Sequence, residues 1–177
     1  MPQETPRNVV VGRPEADEAV PFFFNYINQV EGDDILTALD RQLPEALTFF
    51  GRYTEETSLQ PYAPGKWSLR QTLGHITDVE RILTFRALWL ARGIPSPLPS
   101  FDQDHAVIAA ESDGVTWAAH REEFERVRLA SLSLFRNLPA DAWMRTGEVS
   151  GHSISVRALA FIAAGHCAHH LRILREI

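Results

Sequence analysis

Apolar residues recur along this chain at three-and-four spacing in several separated segments, each preceded by a capping residue. Ile35, Leu36, Leu39, Leu43, Ala46, Leu47 and Phe50 line one side of a predicted helix that opens after Asp33-Asp34. Pro44 falls inside that segment and predicts a bend or a split. Gln60 to Gly65 carries two prolines and a glycine and leads into Lys66-Trp67-Ser68, where Ser68 is an N-cap. From there Leu69, Leu73, Ile76, Leu83, Ala87 and Leu90 share a face of a second helix, which stops at Arg92-Gly93. A third helix is signalled from Thr116 by Trp117, Phe124, Val127, Leu132, Leu134 and Phe135, and it ends before Leu138-Pro139. Its charged half, His120 to Arg128, reads as a solvated face. Ser155 caps a last helix with Leu159, Ile162, Ala163, His166, His170 and Ile173 on one face.

The segments between them differ in kind. Ile94 to Asp104 contains Pro95, Pro97 and Pro99 and predicts a rigid, non-helical crossover between distant helices. Trp143 to Ile154, with Gly147 and Gly151, predicts a small hairpin. Residues 1–20 are polar and aperiodic, which predicts a loosely ordered N-terminal arm packing partly against a single domain over residues 21–177. The expected fold is therefore all-α: a four-helix bundle with a long crossover connection and a small hairpin before the last helix.

Composition narrows the function. At 177 residues the chain supports one core. The formal charge of −6 leaves no global positive field for phosphates, so a nucleic-acid partner is not expected. No apolar stretch approaches the roughly 20 residues that cross a bilayer, so no membrane partner is expected either. The single Cys167 rules out an intramolecular disulfide, and with no secretory pattern the chain reads as cytoplasmic.

The candidate chemistry lies in histidines. His166 and His170 are four apart on the last helix, so they stack about one turn apart and can converge on one ion. A hydrogen-bonded core histidine beside a rim histidine would give the same spacing. His75, at the border of the buried face of the second helix, adds a third nitrogen. Three protein ligands leave open positions, the arrangement of a catalytic metal. Glu80 shares the apolar face of the second helix and needs a cation, Arg86 or Arg157, or else it orients a ligand histidine or acts as a base. Asp78, three residues after His75, is a second candidate partner for a ligand, equally readable as a surface residue. His169 points about 100 degrees away from His170. Cys167 projects to another face, so a Cys–His nucleophile is not expected.

The stretches "YAPGKWSLRQTLGHITDVERILTFRALWLARG", "PLPSFDQD" and "GHCAHHLRIL" resemble the DinB/YfiT-like superfamily of metal-dependent enzymes, and the resemblance runs from about Asp33 onward. It implies a four-helix bundle, commonly a homodimer, that holds zinc, nickel or another divalent ion through His75, His166 and His170. It further implies a small-molecule substrate, with relatives that transfer low-molecular-weight thiols such as bacillithiol, mycothiol or glutathione and others called hydrolases. His105, just after the Phe101-Asp102 loop, departs from the aromatic residue common in relatives. Two functions compete: a hydrolase or thiol transferase whose ion activates water or a thiol, and a non-catalytic metal-binding bundle acting as a stress-related structural, sensor or interaction protein.

Overall fold

The computed structural model describes residues 11–176. After a single turn at Pro21–Phe23 come α1 (Phe24–Ile27), α2 (Ile35–Phe50), α3 (Leu69–Ala91), α4 (Gln103–Ala109) and α5 (Trp117–Arg136). The chain closes with β1 (Thr146–Val149), β2 (His152–Ser155) and α6 (Val156–Arg175). The four long helices α2, α3, α5 and α6 make a bundle, and β1 pairs antiparallel with β2 with Gly147 opposite Ile154. This is the all-α bundle with crossover and hairpin that the apolar pattern predicts. Each long helix starts where a side chain accepts the first free N–H groups: Asp34 for α2, Ser68 with Gln71 in a capping box for α3, Thr116 for α5 and Ser155 for α6.

Contacts between the helices fix their directions. α2 packs on α5 and α6, and α3 packs on the same two. Arg81 bonds Glu123 and Thr84 meets Ser131, so α3 and α5 run parallel. Gln42 donates to the Ala164 carbonyl and Arg175 lies over Phe49, so α2 and α6 are parallel too. Leu39 faces Arg128 while Phe50 faces Trp117, which makes α2 and α5 antiparallel. Leu69 and Leu73 share a core cluster with Leu171 and Leu174, whereas Leu83 and Leu90 share one with Val156 and Leu159, so α3 and α6 are antiparallel.

A parallel neighbour requires a crossover, and residues 94–116 provide it. The Trp89 indole donates to the Ser96 carbonyl and Arg86 to the Pro99 carbonyl, so the strap runs back along α3. Leu98 is stitched to the hairpin through the Glu148 carbonyl and the Ser150 N–H. The connection is not irregular through Asp104 as expected. Asp102 accepts from the N–H groups of Asp104 and His105 and starts α4, whose Val107 is buried.

Three further expectations are corrected. α2 is not split at Pro44, one of the two outcomes expected there; the proline and Asp40, whose carbonyl loses its partner, are both exposed, while Leu39, Leu43, Ala46 and Phe49 remain packed. The half of α5 from His120 to Arg128 is solvated on one side only, through Glu122, Glu125 and Arg126. His120, Phe124 and Arg128 follow one another at four-residue spacing and are buried, the polar two being paired inside. Finally, residues 11–20 are anchored rather than loose: Arg157 clasps the buried Glu18, and Arg13 donates to the carbonyls of Ile27, Val30 and Gly32. The first part of the predicted arm, residues 1–10, lies outside the described residues.

Candidate metal centre

Two helices running in opposite directions bring together residues far apart in sequence. The Ser68 cap fixes where α3 begins, and His75 follows two turns in, on the side that meets α6. The Ser155 cap does the same for α6, where His166 and His170 lie one turn apart. The His166 Nε2 stands 3.0 Å from the His75 Nε2 and 3.1 Å from the His170 Nε2. One nitrogen of each of the three lies within 4.8 Å of the others. His75 and His166 are buried and His170 is half-buried.

A neutral imidazole nitrogen carries one proton or one lone pair, so the His166 Nε2 cannot satisfy two facing nitrogens equally. A cation in the middle can accept all three lone pairs. Two imidazole nitrogens each about 2.0–2.1 Å from one tetrahedral ion stand roughly 3.3 Å apart, close to the observed spacings. The three donors therefore fit a single ion.

The electrostatics agree with that donor set. Burial lowers the His75 pKa to about 4, against a smaller raising effect from the Asp104 carboxylate on α4. Burial, reinforced by His75 and His169, lowers His170 to about 3. Burial, then the neighbouring His170, His75 and His169, holds His166 well below the ordinary histidine range. All three are neutral at pH 7 and offer lone pairs. The His75 Nδ1 is buried without a hydrogen-bond partner among the described residues.

Aromatic rings frame the cluster. Trp67, just before the α3 cap, sits 4.9 Å from the His75 ring. Tyr26 of α1 meets His166 edge-on at 5.5 Å and His169 at 5.4 Å. Tyr26 comes this close because Gly165 lacks a side chain: a Cβ there would stand 2.1 Å from the Tyr26 carbonyl oxygen. His169 turns away from the cluster, its Nδ1 3.2 Å from the Gln29 amide.

Neither carboxylate candidate touches the histidines. Glu80 is buried as its apolar face requires, but its partner is neither Arg86 nor Arg157. Arg128 reaches it from α5 with two hydrogen bonds of 2.8 Å and also bonds the Gln42 side chain. Arg86 goes to the strap and Arg157 to Glu18. Asp78 faces outward and pairs with Arg81 at 3.2 Å. His105 and His152 are exposed, and His120 is buried elsewhere, with its Nε2 donating to the Ser112 carbonyl. Burial raises the Cys167 thiol to about 11, which removes it as a nucleophile. A groove of about 430 Å³ between α2 and α6 is lined by Gln42, Ala164 and Leu171 and contains none of the three histidines. Tyr26, Trp67 and Asp104 are the neighbours that sequence reasoning missed. Trp67, beside the helix cap, and Asp104, at the end of the Phe101-Asp102-Gln103-Asp104 stretch, had local signals, whereas Tyr26 had none.

Among solved structures, the chain is similar to YfiT from Bacillus subtilis, described as a probable metal-dependent hydrolase with an unusual four-helix bundle topology. The two share 16% sequence identity over 92% of this chain and 89% of that one, with a TM-score of 0.68. At that identity the likeness speaks for the fold. None of the curated proteins matches the chain. The family model of the DinB superfamily, in contrast, matches residues 38–174, a span that takes in α3 and α5 whole, nearly all of α2 and α6, and the three clustered histidines, and this chain belongs to that superfamily.

Proposed function

We propose that this protein is a metal-dependent hydrolase of a small-molecule substrate, with His75, His166 and His170 as the ligands of one divalent ion. The carrying observation is the convergence of three neutral ring nitrogens within 4.8 Å from two helices. The hydrolase description of the YfiT fold relative supports the same reading. Imidazole donors suit zinc and nickel. When bound, such an ion supplies Lewis acidity that makes water, or a low-molecular-weight thiol, nucleophilic near neutral pH.

The chain's own residues prepare that chemistry. Burial keeps the three imidazoles unprotonated, so protons do not compete for the donor atoms at neutral pH. His75 and His166 are buried, and the half-buried His170 keeps the cluster within reach of solvent and substrate. Thiol transfer differs from hydrolysis only in the nucleophile admitted there. Asp78 and Glu80, engaged by Arg81 and Arg128, keep structural roles in this reading. The homodimer that family resemblance implies is to be measured by sedimentation.

The test is metal analysis of the purified protein, followed by assays with activated esters and with thiol acceptors. Turnover lost on chelation and restored by zinc or nickel supports the proposal. A protein that retains no divalent ion in any preparation overturns it. Retained metal with no turnover, and a chain that unfolds on chelation, would favour the non-catalytic bundle instead.

A further inference from the structure

The rings around the histidines do more than fill space. Of the four tryptophans, Trp117 and Trp143 are buried in the core, and the indoles of Trp117 and Trp89 donate to the Phe50 and Ser96 carbonyls. Trp67 is half-buried, belongs to neither core cluster, and its indole N–H has no hydrogen-bond partner among the described residues, yet it stands against His75. On the α6 side Tyr26, also half-buried, stands against His166 and His169. Phe22 meets Tyr26 edge-on at 5.9 Å and is 61% exposed, so the aromatic row continues outward into solvent.

Holding Tyr26 in place takes several residues: Gly165 makes room for its backbone, and Arg13 ties down the carbonyls of Ile27, Val30 and Gly32 just after it. We propose that the histidine cluster serves substrates bearing an aromatic or similarly planar apolar group, held by Trp67 on one side and by Tyr26 and Phe22 on the other, next to the bond that reacts. This rests on the metal-centre reading above. Planar rings gain from edge-to-face and offset contacts beyond the area they bury, and an aliphatic group of similar size gains only the area. Trp67 against His75 and Tyr26 against His166 are both half-buried, so each ring keeps accessible surface beside the cluster for those contacts.

The experiment uses the zinc-loaded full chain, with metal content measured first, and titrates it with benzohydroxamate and acetohydroxamate by calorimetry. The two probes present the same chelating group and differ in the phenyl ring. The expected result is a preference for benzohydroxamate of about tenfold. Trp67→Ala and Tyr26→Ala should each remove several-fold of it while leaving acetohydroxamate binding unchanged. Trp67→Phe and Tyr26→Phe, which keep a ring and spare the fold, should restore it. Equal binding of the two probes by wild type overturns the inference and leaves the metal centre standing, as does an equal loss for both probes in the Ala variants. Wild-type protein that retains no zinc overturns both.

Discussion

Arg128 of α5 and Glu80 of α3 form a two-pronged ion pair sealed inside the bundle, Nε to Oε1 and Nη2 to Oε2, each at 2.8 Å. The third arm of the guanidinium reaches Gln42 of α2, whose amide donates to the Ala164 carbonyl of α6, so one polar chain crosses all four long helices. Removing one member strands a buried charge, and Glu80→Ala should cost about 3–5 kcal/mol in urea unfolding. The double variant Glu80→Met/Arg128→Met should be more stable than Glu80→Ala, because desolvation no longer needs to be offset. A double variant less stable than the single would contradict this account.

His170→Ala should remove most of the divalent ion while leaving the helical signal in circular dichroism intact. His105→Ala, at an exposed position, should retain the wild-type metal content. Elemental analysis of both proteins after identical dialysis decides the matter; matching metal content would remove His170 from the ligand set.

The metal-free protein should weaken in mild acid. Burial lowers His75 to about 4 and His170 to about 3, and it pulls His166 down as well, whereas the unfolded chain takes up these protons below an ordinary 6.5. The unfolded state thus binds more protons between those limits. Stability should be flat above about pH 6.5 and fall as pH drops toward 4. Urea midpoints measured in a chelator across that window test this, and His170→Gln should show a shallower slope than wild type.

Gly165→Ala should destabilise the protein by about 1–3 kcal/mol, because the added methyl meets α1 backbone and not a side chain that can rotate away. Thermal unfolding gives the size of the effect. Increased quenching of tyrosine fluorescence by acrylamide would show that the α1 segment has been displaced; an unchanged melting temperature would mean that α1 packs differently.

The features legible in the sequence are those carried by short-range pattern. Asp34, Ser68, Thr116 and Ser155 cap helices because their hydrogen bonds stay within three residues. His166 and His170 face the same way because four residues make about one turn. The partner of Glu80 was not legible: Arg128 is 48 residues away and lies alongside only because α5 runs parallel to α3. The inner face of α5 was hidden for a related reason, since His120 and Arg128 break its apolar period and are tolerated only through partners on other elements. The short α4 was masked by the prolines before it, although its Asp102 cap is local. Tyr26 was indistinguishable from the phenylalanines beside it.

The parallel pairing of α3 with α5 and of α2 with α6 bears on how the chain reaches this state. Neighbours in the bundle are seldom neighbours in sequence, and His75 meets His166 across 91 residues. Loop-closure entropy is lost before such contacts repay it, so the protein should refold more slowly than an up-and-down bundle of the same length. The histidine cluster forms only when that long loop closes, and ion uptake followed in a stopped-flow refolding experiment would time the docking of α6 on α3.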